Sequence, residues 1–198
     1  MDVVEFSKRP RRSHIFARDR DDFYSDPSWV SERLFAVERF EKFIWEVTCG
    51  LGTIARAACA AGLLIFLVFA SDIVDHDYGV RQDFLKATAP TTDVFNVVTN
   101  QPFMLTHELV TQAFTLGAAK VAIIFPVARV NAAPWLTTLP LARVWLLTQR
   151  PPMPPDRLIA NGERLGEGKM DFCLSFDRTH TESLTLGWLH RDGIKSHA

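Results

Sequence analysis

The stretch Ile44–Gly52 reads I-W-E-V-T-C-G-L-G, and its reading decides the fold. An apolar segment ends in the acid Glu46. A Cys-Gly-x-Gly turn follows, built on Cys49, Gly50 and Gly52, and opens an alanine-rich helix over Thr53–Ala61. Two glycines let a backbone approach a ligand closely, and a helix start presents N–H groups that suit a nucleotide-like molecule. The pattern predicts a strand over Lys42–Val47, a tight bend, and a helix packed back on the strand.

Downstream, Ala57–Ala70 is apolar throughout, bounded by Arg56 and Asp72. The run is shorter than the roughly 20 residues a membrane-spanning helix needs. Gly62 also divides it, so it reads as a helix end, a glycine turn and a buried strand over Leu63–Ala70. That strand runs into Ser71-Asp72-Ile73-Val74-Asp75. An acid at the tip of the second strand is where an open α/β sheet holds a ribose diol, which marks Asp72; the plain alternative is a solvated turn acid. Asp83, followed by Phe84, is either an acceptor for an adenine amino group with the ring beside it, or a surface acid next to a core aromatic.

Val94–Thr99 predicts a further strand, with Asn100-Gln101-Pro102-Phe103 at its carboxyl end, the edge where ligands bind in such sheets. Met104–Leu116 has a helical apolar face closed by Gly117. Val121–Val127, Leu141–Thr148 and Phe172–Asp177 read as strands, and Asn131–Thr137 as a short connection. Residues 149–170 form a long loop, proline- and glycine-rich from Pro151 to Lys169 and placed to face a substrate. After Arg178, Leu184, Leu186, Trp188 and Leu189 are isolated apolar residues. Upstream, residues 1–22 mix Arg and Lys with acids and show no apolar period, which reads as a flexible arm. Residues 23–198 make one domain. A helix is expected over Pro27–Arg39 with Pro27 at its first position, and Tyr24 and Pro27 either wall a ligand pocket or simply pack. Alternating strands and helices predict an α/β protein with a mainly parallel sheet and helices on both faces.

The 198 residues suffice for one domain with a sizeable core. A net charge of −1 confines any nucleic-acid contact to a local basic face. Cys49, Cys59 and Cys173 are odd in number and lack C-x-x-C spacing, so neither a metal site nor a disulfide framework is expected. The expected setting is a reducing cytoplasm, without stable membrane association.

Asn-x-Pro-Phe at a strand end suits one chemistry in particular. A planar aromatic amine is a weak nucleophile because its lone pair is delocalised. The Asn100 side-chain oxygen and the Gln101 carbonyl can accept the amine's protons, while Phe103 stacks on the ring. With these motifs in order, the chain resembles the class I S-adenosylmethionine-dependent methyltransferases, and within them the small DNA-modifying, phage- or prophage-type enzymes with an Asn-Pro-Pro-Phe motif. The resemblance runs from about Phe23 to Leu189. It rests on Phe23-Tyr24-Ser25-Asp26-Pro27, Glu46 to Gly52, Ser71 to Asp75, Asp83-Phe84-Leu85, Asn100 to Phe103, and the closing F-C-L-S-F-D-R-T-H from Phe172 to His180.

The resemblance implies a Rossmann-like, mainly parallel seven-stranded sheet, S-adenosylmethionine as cofactor, DNA as substrate partner and no metal. Glu46, Cys49, Gly50 and Gly52 would meet the methionine part, Asp72 the ribose, Asp83 and Phe84 the adenine, with Tyr24 and Pro27 nearby. Asn100, Gln101, Pro102 and Phe103 would form the catalytic turn, acting on an exocyclic amine with adenine N6 as the leading target. The chain departs from the family at Gln101, where a proline is expected: the carbonyl acceptor is kept and the fixed φ is lost. A fold that binds cofactor without transferring is therefore one alternative. A nicotinamide-dependent oxidoreductase is another, since Gly50-Leu51-Gly52-Thr53-Ile54-Ala55 also fits G-x-G-x-x-A.

Overall fold

The structure, a computed structural model, describes residues 27–151 and 172–193. Tyr24, the arm 1–22 and most of the 149–170 loop lie outside them. The described chain runs α1 (Ser28–Val37), β1 (Phe43–Glu46), α2 (Thr53–Ala60), β2 (Val68–Asp72), β3 (Val80–Arg81), β4 (Phe95–Thr99), α3 (Thr106–Thr115), β5 (Lys120–Phe125), β6 (Leu141–Thr148), β7 (Phe172–Asp177) and β8 (Thr185–His190). Among the described residues these strands form one eight-stranded sheet of order β3-β2-β1-β4-β5-β7-β6-β8. β7 is antiparallel to both its neighbours, and every other pairing is parallel. Chain order reverses between β1 and β4, which makes their carboxyl ends the switch point of the sheet.

The helices cover both faces, as the alternation predicts. Ile54 and Ala58 of α2 and Val30 and Leu34 of α1 pack with Ile44, Val98, Ala122 and Ile124 on one face. Leu109, Val110 and Ala113 of α3 pack with Trp45, Val97, Val121 and Ile123 on the other. β4 is buried at every position, and apart from Asn96 and the terminal Thr99 its residues are apolar. The Asn96 side-chain amide is not stranded there, since it donates to the Glu41 and Phe43 carbonyls at 2.7 and 3.2 Å.

The structure departs from the sequence reading most at two element starts and in the number of strands. The strand expected over Leu63–Ala70 begins only at Val68; Ile65–Leu67 form a 3-10 turn, and Leu64 and Ile65 are exposed. β1 reaches back only far enough to pair from Val68, so the residues before it bond locally instead, Leu63 N to Ala58 O and Leu67 N to Leu64 O. The helix expected from Met104 starts at Thr106, after a 3-10 turn over Phe103–Leu105. The six strands read from the sequence, and the seven that the resemblance implies, become eight: Val80–Arg81 form a short edge strand beside β2, and the apolar residues after Arg178 form β8 alongside β6. Leu189 faces inward and is buried, Gly187 leaves room for the Trp145 ring, and Leu186 and Trp188 point outward and are exposed.

A charged cluster ties the far half of the sheet to the end of α1. The Glu38 carboxylate accepts from Trp145 Nε1 at 2.9 Å and pairs with Arg143 at 3.4 Å. Lys120 pairs with Asp177 at 3.3 Å and donates to Arg39 O at 3.0 Å. Burial alone would raise the Asp177 pKa, but the Thr179 hydroxyl and N–H, with the Lys120 charge, hold it below its ordinary value. A carboxyl lowered on folding contributes stability above its unfolded pKa, and that contribution is lost as pH falls through the folded value. Urea midpoints should therefore drop as pH falls below about 4. Asp177→Asn should be less stable at pH 7 and show a shallower acid slope; an unchanged slope would mean that Asp177 does not carry the effect.

Candidate functional site

The carboxyl ends of β1, β2 and β4 lie side by side, and carboxylates hold the segments that follow them. Glu46, the last residue of β1, is buried; Oε2 accepts Ala55 N at 2.7 Å and Oε1 accepts Ile54 N at 3.3 Å. These are first-turn donors of α2, the groups that a helix leaves without internal partners. The sequence pattern offered them to a ligand, but in the folded chain Glu46 takes both. Gly52 is the N-cap of α2 with φ 75°, and Gly50 has φ 47°. Both conformations lie in the left-handed region that glycine tolerates without strain.

Asp72 closes the bend from β2. Its Oδ2 accepts Gly50 N at 2.9 Å and its Oδ1 accepts Val74 N at 3.0 Å. Cys49 N donates to Ser71 O at 2.9 Å, and Ser71 Oγ accepts Trp45 Nε1 at 2.8 Å. The Cys49 thiol is turned inward, 3.5 Å from Tyr78 O. Burial, then the charges of Glu46 and Asp72, push its pKa up to about 12, so it stays a neutral thiol at physiological pH.

The bend and the Asn-Gln-Pro-Phe turn are joined directly. Thr48 Oγ1 lies 2.6 Å from Thr99 Oγ1 and donates to the Asn100 carbonyl at 3.1 Å. The Gln101 amide nitrogen donates to Ile124 O and to Thr106 Oγ1, each at 3.1 Å. Pro102 O accepts Leu105 N at 2.9 Å, and Phe103 is half-buried. The Arg129 guanidinium lies 5.6 Å from the centre of the Phe103 ring, and Nη1 is 3.7 Å from Met104 Sδ.

Other candidates are placed differently. Pro27 is the N-cap of α1 rather than its first turn, with Val30 N bonded to its carbonyl. Asp83 caps the 3-10 turn Phe84–Lys86, accepting Leu85 N at 3.1 Å and pairing with the exposed Lys86 at 2.9 Å. Its pKa is lowered, first by the Lys86 hydrogen bond. Phe84 is not available to a ligand ring: it is 3% exposed and packs edge-on against Trp45, their centroids 5.0 Å apart. The surface beside Asp72 is instead formed by Ile73 and Val74, both exposed. Sequence patterning passed over these two, along with Thr48, Thr99, Thr106 and Arg129. A polar Thr flanking each loop was the one available signal. Among the described residues no group of His, Cys, Asp and Glu could hold a metal, and no helix is long and apolar enough to cross a membrane.

Tyr78 reaches the glycine bend from the loop between β2 and β3. A Cβ on Gly52 would fall within the Tyr78 ring, so that ring lies directly on the glycine. The Arg56 guanidinium sits 4.5 Å from the ring centre and also donates to Leu51 O. In the folded chain the close approach that Gly52 permits is made by Tyr78.

No protein-family model matches the sequence, and no curated protein sequence matches it; the similarity found is one of structure. A predicted O-methyltransferase from Agrobacterium tumefaciens superposes with a TM-score of 0.54 at 14% identity, covering 88% of this chain and 91% of that one. The methyltransferase subunit of a type I restriction-modification system from Streptococcus thermophilus gives 0.55 at 11% identity over 83% of this chain, which spans only 47% of that subunit. The 23S rRNA methyltransferase ErmE gives 0.53 at 16%, with 80% and 70% covered. The chain has the Rossmann-like fold of class I methyltransferases.

Gly52→Ala should lower stability by about 2 kcal/mol or more, through the strained φ and the clash with Tyr78 together. In the Tyr78→Ala background the same change should cost only about 1–2 kcal/mol, the backbone share. Urea unfolding of the four proteins measures this; equal costs in both backgrounds would show that Tyr78 does not press on Gly52.

Proposed function

We propose that the chain is an S-adenosylmethionine-dependent methyltransferase acting on an exocyclic amine, with adenine N6 in DNA as the leading acceptor. The observation that carries the reading is the Thr48 contact. It holds a carboxylate-braced glycine bend and an Asn-Gln-Pro-Phe turn together at the switch point of the sheet.

The residues fit the cofactor. Each Asp72 oxygen accepts one backbone N–H and keeps a second lone pair for a ribose hydroxyl. Ile73 and Val74 leave apolar surface beside that carboxylate for a flat base. Glu46 and Cys49 support the bend from inside rather than touching the ligand with their side chains. The cofactor supplies an electrophilic methyl group on a sulfonium, so no strong base is needed for attack. Asn100 and the Gln101 carbonyl accept the amine's protons and raise the lone pair's availability. Phe103 stacks on the acceptor ring, and Pro102 limits the motion of the turn. Arg129 places a positive charge beside Phe103, which favours an acceptor carrying phosphates. A base inside a duplex would have to be flipped out to reach Asn100.

Glu46 also weighs against a dinucleotide. A pyrophosphate needs free N–H groups at the helix start. Here two of those donors are committed, and a carboxylate stands beside them.

Labelled methyl transfer from S-adenosylmethionine to DNA, followed by nucleoside analysis, tests the proposal. Asn100→Ala should reduce transfer by on the order of 10²–10³, the scale of losing one preorganised polar group, with cofactor affinity within about threefold. Turnover within tenfold of the native protein would remove Asn100 from its role. Cofactor binding without transfer to any nucleic acid would favour a binding protein with this fold.

A further inference from the structure

The sequence departs from the Asn-Pro-Pro-Phe pattern at Gln101, and the structure shows what the glutamine does in that position. The ladder between β4 and β5 ends at the pair Thr99↔Ile123, after which the chain leaves the sheet. The Gln101 amide reaches back and takes the next β5 carbonyl, that of Ile124, at 3.1 Å. The same nitrogen donates to Thr106 Oγ1 at 3.1 Å, and Thr106 Oγ1 donates onward to Phe103 O at 3.1 Å. Gln101 and Thr106 are each 2% exposed. One side chain thus links the end of β5, the first residue of α3 and the carbonyl of Phe103 across the base of the turn.

The orientation of the amide is fixed by its partners. Ile124 O can only accept, so the nitrogen must face it. Gln101 Oε1 is then left buried without a hydrogen-bond partner. A buried oxygen without a partner carries a desolvation penalty, which offsets part of what the two donated bonds contribute.

We infer that Gln101 is a positioning residue: its side-chain amide clamps the Asn100–Phe103 turn to β5 and α3, doing by hydrogen bonds what a proline ring does by fixing φ. Its role in transfer rests on the methyltransferase reading above, whereas the clamp itself does not. The orphan oxygen also separates positioning from simple stabilisation. Gln101→Met removes Oε1 and leaves Ile124 O unsatisfied, exchanging one buried unpaired acceptor for another. The melting temperature should therefore stay within about 4 °C of the native value.

Amide hydrogen exchange reads the clamp directly and needs no acceptor substrate. In Gln101→Met, and in Thr106→Val, exchange at the Phe103–Leu105 amides should quicken by about tenfold, the local opening of a less constrained segment. The double variant should exchange no faster than the faster single variant, because both changes break one network. Affinity for S-adenosylmethionine should remain within about threefold. Transfer, where the native protein shows it, should fall by about 10²-fold, the scale expected for a small misplacement of reacting groups. Native exchange rates in Gln101→Met, or faster exchange with full transfer retained, would overturn the inference. Absence of transfer by the native protein would overturn the function proposed above and leave the exchange measurement to decide the clamp.

Discussion

The Glu46 carboxylate, buried at the end of β1 and bonded to the Ile54 and Ala55 N–H groups, is the interaction on which the arrangement of the site depends. A buried carboxylate is tolerable only where its charge is met, and a helix start supplies both donors and a favourable dipole. Because the donors belong to the helix that follows the bend, one contact fixes the exit of β1, the path of Cys49–Gly52 and the direction of α2. Asp72 repeats the device from the neighbouring strand through Gly50 N. The bend is thus shaped by two of the chain's own carboxylates before any ligand arrives. Preorganisation of that kind reduces the ordering a ligand must impose.

The second loop is positioned by sheet order. β1 and β4 are parallel neighbours, so their carboxyl ends emerge at the same edge, and the reversal of chain order falls between them. The hydroxyls of Thr48 and Thr99 join the two exits at 2.6 Å. On the distant side, β7 runs against its neighbours and carries Asp177 into the cluster with Lys120 and Arg143. These contacts hold β5 and β6 on either side of β7, and β5 in turn supplies the Ile124 carbonyl that Gln101 grips.

Legibility in the sequence followed the strength of the local physical signal. β4, β6 and β7 were plain because their apolar runs are bounded by turn or polar residues. The strand after Gly62 was read too long, because apolar content does not reveal where a partner strand stops; Leu64 and Ile65 are as greasy as Val68, yet have no strand beside them. β8 was missed because Thr185–His190 turns one apolar set outward and carries a glycine inward, leaving too weak an alternation. Around the candidate site, residue types and their spacing picked out segments that the sheet brings together, the glycine bend with Asp72 beside it and the Asn100 turn. What spacing could not give was the partner of each group. Phe84 sits in a motif shared with ligand-binding segments and is nonetheless claimed by Trp45.

Gly52 makes the same point more sharply. A glycine with φ 75° at the start of a helix reads as a place where something comes close to the backbone, and that inference holds. The sequence does not say what comes close. Here Tyr78 lies on Gly52, braced by Arg56, while the first-turn amides turn inward to Glu46. The start of α2 therefore presents no cradle of free amides at this edge. Such an arrangement disfavours a molecule that presents a phosphate to a helix start.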